Sequence, residues 1–285
     1  MFHNKRLLYG LLFRTSAATL LEFAADPKHL GAQIGFRSVL HTWGQNLVHH
    51  PHVHCVIPVG GLSPDRKTWV RPRYRFFLPV EALGIVFRGK FVDAIERAHR
   101  TGKLCLPGAL KRLRQQKAFR SFVRLLHQKD WVVYAKPPFG GPRYVLNYLA
   151  RYTHRVAISN HRLVSFVDGK VTFRWKDFAH GNKRRLMTLT AEEFLRRFLQ
   201  HVLPRGFIRI RFFGFLAARK RREFLPLCQQ LLKTDPATTA PPPASGPTCV
   251  PATWTCPSCG GPMVVVERLD AWQLPQTQRG YFDTS

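Results

Sequence analysis

Apolar residues recur at helical spacing from residue 5 to residue 24, through Leu7, Leu8, Leu11, Leu12, Leu20 and Leu21, and the run stops near Asp26-Pro27. Lys5 and Arg6 precede it and Arg14 interrupts it, so an amphipathic helix is expected rather than a secretory signal. Helical patterns are also expected over 30–46, 80–97, 111–128, 191–202 and 215–230. Extended segments are expected over 52–59, 71–79, 131–135 and 207–213. Residues 163–167 and 170–175 flank Asp168-Gly169, which tolerates positive φ at both turn positions and predicts a tight hairpin. After Gly140-Gly141-Pro142 another helix is expected, carrying Tyr144, Tyr148 and Tyr152. From residue 235 to about 252 the chain turns to Pro, Ala, Thr and Ser, the composition of a linker.

Together these elements predict an α+β fold: an antiparallel sheet with helices on one face. The His52–Val59 strand would be central, and the tyrosine helix would cross the open face. Four regions are expected: a main domain over 1–160, a basic accessory region over 161–234, the linker, and a small cysteine-containing tail over 253–285.

Charge narrows the partners. Lys and Arg number 45 against 16 Asp and Glu, and 45 − 16 gives +29. The excess is interleaved with aromatics, as in Arg71-Pro72-Arg73-Tyr74-Arg75-Phe76. Between Glu193 and Glu223 there are nine cations and no carboxylate. A polyanionic partner is implied, nucleic acid before membrane. No wholly apolar run approaches the roughly 20 residues of a spanning helix, so no membrane is expected. Six cysteines in a chain of 285 residues suggest a reducing cytoplasm rather than a disulfide scaffold.

The densest chemistry is His49-His50-Pro51-His52-Val53-His54. On a strand, His52 and His54 project from one face, because side chains alternate with a period of two. Such a pair is often only a satisfied surface or core feature. Here it leads into an apolar strand that stops at Gly60-Gly61, which favours a metal site. Imidazoles suit Mn2+, and Mg2+ where oxygens complete the shell. The third ligand stays open among His41, Gln45, His49 and His154.

Tyr148 and Tyr152 lie four apart, on one helical stripe, with Tyr144 a third candidate. Packing is their bland explanation. Arg151 and Arg155 each follow a tyrosine by three residues and could hold a phosphate beside it. Lys111, Arg112 and Arg114, with Arg219, Lys220, Arg221 and Arg222, are further expected DNA contacts. Cys256-x-x-Cys259, with Cys249 nearby, looks like half a zinc knuckle and falls short of the four ligands structural zinc wants, so a loose tail is the alternative. Cys55, Cys105 and Cys228 read as structural.

The run from Leu40 to Gly61 and the run Tyr148-Leu-Ala-Arg-Tyr-Thr-His-Arg155 resemble the metal and nucleophile motifs of two-tyrosine rolling-circle transposases. These belong to bacterial insertion sequences, within the HUH endonuclease superfamily. The similarity extends from near residue 5 to about 230, including Phe213-Gly214-Phe215-Leu216-Ala217. It implies an HUH-like sheet with His52 and His54 as Mg2+ or Mn2+ ligands and Tyr148 and Tyr152 as nucleophiles. It implies cleavage and transfer of single-stranded DNA, and partners that are single strands and hairpins at element ends. Self-association stays open. Such proteins usually carry a cysteine-rich zinc segment and a first strand before the helix that opens here. The resemblance therefore implies an N-terminally shortened relative. Two alternatives follow: a replication initiator or relaxase of the same superfamily, and a non-catalytic DNA-binding remnant.

Overall fold

The computed structural model describes residues 2–72, 78–136, 138, 141, 143–146, 148, 157–177, 180–234, 254–255 and 262–263. The chain divides into two units, Met1–Asp235 and Pro236–Ser285.

In the first unit, helix α1 (Lys5–Ala25) is followed by strands β1 (Gly35–Trp43) and β2 (His49–Val56) and the short pair β3 (Gly61–Leu62) and β4 (Trp69–Val70). Helix α2 (Val80–Arg100), a 3-10 segment (Gly108–Arg114) and helix α3 (Gln116–His127) come next. The hairpin strands β5 (Leu163–Val167) and β6 (Lys170–Asp177), then β7 (Lys183–Thr190), lead into α4 (Ala191–Leu199). Strand β8 (Ile210–Gly214) and helix α5 (Ala218–Thr234) complete the unit. Mixed helix and antiparallel sheet bear out the α+β expectation.

Five sequence expectations are corrected. Residues 30–46 are not helical: 35–43 form β1, the middle of a sheet ordered β2-β1-β8. The helical reading failed because β1 is buried on both faces, leaving no alternation to read. The histidine strand β2 is not central but, among the described residues, an edge. Pro51, which cannot donate to a ladder, fits an edge position beside the irregularity between His41 and Trp43. Residues 131–135 form no strand, and 111–128 divides into the 3-10 segment and α3.

Helix α1 is the fifth correction, being apolar nearly all round rather than amphipathic. By length and composition it could cross a membrane, yet more than half of its most apolar stretch is buried within the fold. It packs against α2 on one side and the first sheet on the other, with Tyr9, Phe13, Leu40 and Val92 in one core cluster. A helix covered on two sides needs apolar residues on both.

The second sheet, ordered β5-β6-β7, lays one face on α4 through Phe173, Met187, Leu189, Phe194 and Phe198. Asp168 and Gly169 both have positive φ (49° and 68°), as the hairpin required. Trp43 and Leu47 enter the same cluster, so this sheet docks on the β1–β2 turn. Buried Arg162 fastens the joint, donating to the carbonyls of Arg174 (2.8 Å) and Gln45. In the second unit, Trp254–Thr255 pairs antiparallel with Pro262–Met263.

Two glycines set how closely β8 and its exit approach β1. A Cβ on Gly35 would lie 2.5 Å from the Phe215 ring. Gly214 has φ +60°, and a Cβ there would overlap the Ile34 carbonyl oxygen. Gly214→Ala is expected to lower unfolding free energy by about 3 kcal/mol, combining left-handed strain with a clash against backbone. Gly206→Ala, with positive φ but open space, is expected to cost about 1 kcal/mol. Urea denaturation of both variants checks the difference; equal midpoints would remove the close-approach argument.

Candidate active site

The geometry of the site follows from the β1–β2 register. His41 faces His52 and Val39 faces His54, which places the three imidazoles on one side of the hairpin. On the other side, Leu40 and Val53 face each other and pack into the α1 core. His41, His52 and His54 each offer a ring nitrogen, and these donor atoms all lie within 4.8 Å of one another. His41 is 1% exposed and stacks on Trp43 at 4.5 Å between ring centroids. Of the four residues left open as a third ligand, the structure brings His41 to the pair. His49 turns instead to Tyr9, and the backbone carbonyl of Gln45 accepts from Arg162. His154 lies outside the described residues.

Hydrogen bonding fixes the tautomers. His52 Nδ1 lies 2.8 Å from the His50 carbonyl oxygen, which can only accept, so the proton is on Nδ1 and Nε2 is a bare acceptor. His54 Nε2 lies 3.0 Å from that acceptor and therefore carries its own proton. His54 Nδ1 is left as a lone pair, 2.9 Å from Tyr148 Oη, which donates to it. The tyrosine is thus hydrogen-bonded directly to the histidine cluster.

The residues fit a divalent cation. His41, His52 and His54 would hold it through ring nitrogens that lie within 4.8 Å of one another. The His50 carbonyl supplies the outer support that orients a ligating imidazole. Burial lowers the pKa of His52 to about 4. Burial also lowers His54 to about 3, with the nearby His52 and Lys136 adding to the effect. Both rings are neutral, the form a metal needs.

Lys136, which the sequence reading passed over, has its Nζ 5.9 Å from the Tyr148 ring centroid. Nothing in spacing marks it, because it comes from the irregular segment after Trp131. Tyr144, on the same helical stretch, is 39% exposed. Tyr152, Arg151 and Arg155 lie outside the described residues, as do Cys249, Cys256 and Cys259.

The remaining expected contacts lie on other elements. Lys111, Arg112 and Arg114 are in the 3-10 segment, and Arg219, Lys220, Arg221 and Arg222 open α5. Cys55 lies on the core face, 3.1 Å from Ser38 Oγ, and burial pushes its thiol up to about 11. Cys228 is buried, whereas Cys105 is exposed.

A β-hairpin that gathers His41, His52 and His54, with Tyr148 hydrogen-bonded to His54, could hold a metal ion beside a phenol. The profile of the family described as "Putative transposase" matches residues 35–223, and the chain belongs to this two-tyrosine transposase family. It is 55% identical over 231 residues to "Putative transposase y4qJ" of Sinorhizobium fredii (strain NBRC 101917 / NGR234), covering 81% of this chain and 58% of that protein. It is 29% identical over 252 residues to the transposase for insertion sequence element IS801 of Pseudomonas savastanoi pv. phaseolicola, covering 85% of this chain and 57% of that one. The chain thus spans somewhat over half the length of these relatives. No solved structure matches.

The lowered pKa values of His52 and His54 give a pH test with a definite sign. In the unfolded chain each takes up a proton below about pH 6.5, whereas in the folded protein each stays neutral down to about pH 4 and 3. Stability is therefore present above pH 6.5 and declines as pH falls toward 4. Because folding keeps the donors neutral, Mn2+ is expected to raise Tm at pH 5.5 as well as at pH 7.5. His41→Ala is expected to weaken that stabilisation at least about tenfold in apparent affinity. Thermal shift against Mn2+ concentration checks both, and an unchanged Mn2+ response in the variant would remove His41 from the ligand set.

Proposed function

We propose that the chain is a metal-dependent DNA transposase of the rolling-circle kind, cleaving and joining single-stranded DNA through phosphotyrosine. The observation that carries this reading is the 2.9 Å hydrogen bond between His54 Nδ1 and Tyr148 Oη, which sets a nucleophile against the histidine cluster. Family membership and the insertion-sequence relative support it. The +29 charge suits the substrate.

Tyr148 Oη attacks the scissile phosphorus. The P–O bond to Tyr148 forms and the bond to the 3′ oxygen breaks, leaving a 5′-phosphotyrosine and, after protonation from water, a free 3′-OH. A divalent ion held by His41, His52 and His54 would polarise the phosphate and neutralise the charge that develops on it. With its Nε2 turned to that ion and its proton released to water, His54 would accept the phenol proton on Nδ1 and hold the resulting phenolate by donating it back. Lys136, a fixed cation beside the phenol, steers and clamps the phosphate. Tyr152, four residues on, serves the second strand. Sequence reading gives the substrate as single strands and hairpins at element ends, and the basic residues 111–114 and 219–222 as grips on their backbone.

The test uses labelled single-stranded DNA from the ends of the encoding element, with Mn2+ and a denaturing gel. A covalent adduct is expected, mapped by mass spectrometry to Tyr148 or Tyr152. It should vanish in the Tyr148→Phe/Tyr152→Phe double variant and in His52→Ala. An adduct persisting in the double variant would defeat the tyrosine mechanism. Lys136→Gln is expected to slow cleavage at saturating DNA by about a hundredfold with Kd within a fewfold of the parent. A fall in affinity alone would make Lys136 a docking residue.

A further inference from the structure

We propose that Phe212 and Arg37, with Arg221 beside them, form a subsite that stacks one base and holds an adjoining phosphate of single-stranded DNA running from the histidine–tyrosine site. The register places them. On β8, Phe213 belongs to the clusters beneath α1, and Arg211 lies over the Phe13 ring at 4.5 Å. Phe212, between them, therefore projects from the opposite side of the sheet, which is the side of the histidines. Arg37 is its direct partner on β1 and faces Val56 on β2. Along this side β1 presents His41, Val39 and Arg37 in turn, with Val39 paired to His54 on one flank and to Ile210 on the other. From His54 to Phe212 is two strands across and two residues along, about 12 Å between backbones.

Phe212 is 42% exposed and, among the described residues, belongs to none of the apolar clusters. An aromatic left open on the side of the nucleophile has a ring face to offer a base. The Arg221 guanidinium of α5 stands 5.9 Å from its ring centroid and adds a cation at the same place.

Arg37 supplies the phosphate contact. Its Nε is buried and has no hydrogen-bond partner among the described residues. Leaving a buried guanidinium N–H unsatisfied is costly, and a phosphate oxygen is the acceptor it matches. No local carboxylate competes for it, because strands β1, β2 and β8 contain no Asp or Glu. The nearest acids along the chain are Asp26 and Asp65, on either side of the β1–β2 hairpin, and Glu223 on α5. Asp26 accepts from the Lys28 amide, Asp65 from Ser63 and the Lys67 amide, and Glu223 pairs with Arg66 at 2.8 Å.

The inference rests on single-stranded DNA being the substrate but not on the cleavage chemistry. Full-length protein is titrated in metal-free buffer against a fluorescent single-stranded oligodeoxynucleotide from the element end, with anisotropy read across a salt series. Phe212→Ala should weaken binding about tenfold or more, the effect of one stacked base, without changing the slope of log Kd against log salt. Phe212→Tyr, which keeps a ring to stack, should bind like the parent. Arg37→Gln should flatten the slope by about 0.7, the share of one phosphate on a single strand. Phe166→Ala, which removes another exposed ring on β5, should stay near the parent.

Parental affinity in Phe212→Ala overturns the proposal, as does a parental slope in Arg37→Gln. So does a Phe212→Ala loss that is equally large on the duplex, whose paired bases are already stacked and offer no free face. Should Phe212→Ala fail to fold, Phe212→Thr, which suits a strand, takes its place with the same expected loss. His52→Ala is expected to lose the adduct while keeping the parent Kd and slope, so failure of the cleavage reading and failure of this one are read separately. A parent protein that does not bind the single strand would defeat the substrate reading and this subsite with it.

Discussion

The pairing of β1 with β2 is the constraint on which the rest depends. With His41 opposite His52 and Val39 opposite His54, one face of the hairpin is imidazole and the other is Leu40, Val53 and Cys55 against α1. A slip by one residue would exchange the faces, burying histidines in the α1 core and exposing its aliphatic lining. The fold fixes that register from three directions. The Gly44–Val48 turn closes one end, with Leu47 at φ 60°. The close approach at Gly35 and Gly214 fixes β8 along the far side of β1. The apolar α1 fills the space beneath.

A second histidine group ties the outer parts of the first unit to this hairpin. Tyr9 Oη lies 2.8 Å from His49 Nε2, and the His49 ring stacks near His201 at 6.2 Å. His201 bonds in turn to Thr42 and to the Leu47 carbonyl. Burial holds His49 down to about 4 and pushes the Tyr9 phenol up to about 12, so both stay neutral. Lys5 donates to the carbonyls of Gln200 and Val202, and Arg6 to that of Arg205. The start of α1 thereby anchors the chain just before it returns as β8. The region over 161–234 is in this way stitched to the first sheet, giving β8 to its ladder and Arg162 to its turn.

What was legible in the sequence follows from which signals survive burial. The His-x-His pair, the Asp168-Gly169 hairpin, α2 and the helical placement of Tyr148 were readable because each rests on local periodicity or turn chemistry. Strand β1 was not, since a strand covered on both faces loses the alternation that marks a half-buried one, and Gly35–Trp43 mixes polar and apolar residues on both. With β1 misread, His41 could be named only as one of several third ligands. Its register with His52 is a long-range fact that no spacing encodes. The edge position of β2 was signalled by Pro51, a residue that argues against a central strand. Lys136 had no signal at all, because an irregular segment brings it to Tyr148.

His54 is where the two halves of the site are coupled. Its Nε2 belongs to the histidine cluster and its Nδ1 to Tyr148, and a neutral imidazole has one proton to place between them. In the structure the His50 carbonyl forces that proton onto Nε2, through His52, and the phenol keeps its own. A cation held at Nε2 would displace that proton, and the ring would then stay neutral by taking the phenol's proton on Nδ1. A single ring would thereby link occupancy of the cluster to the charge on Tyr148 Oη, 2.9 Å from its Nδ1. Replacing His54 by a residue with one functional nitrogen, such as Asn, would keep one client and abandon the other. The depressed basicity of His54 completes the device. A ring that protonated readily would hold both sites at once and uncouple them, and burial beside His52 and Lys136 prevents it.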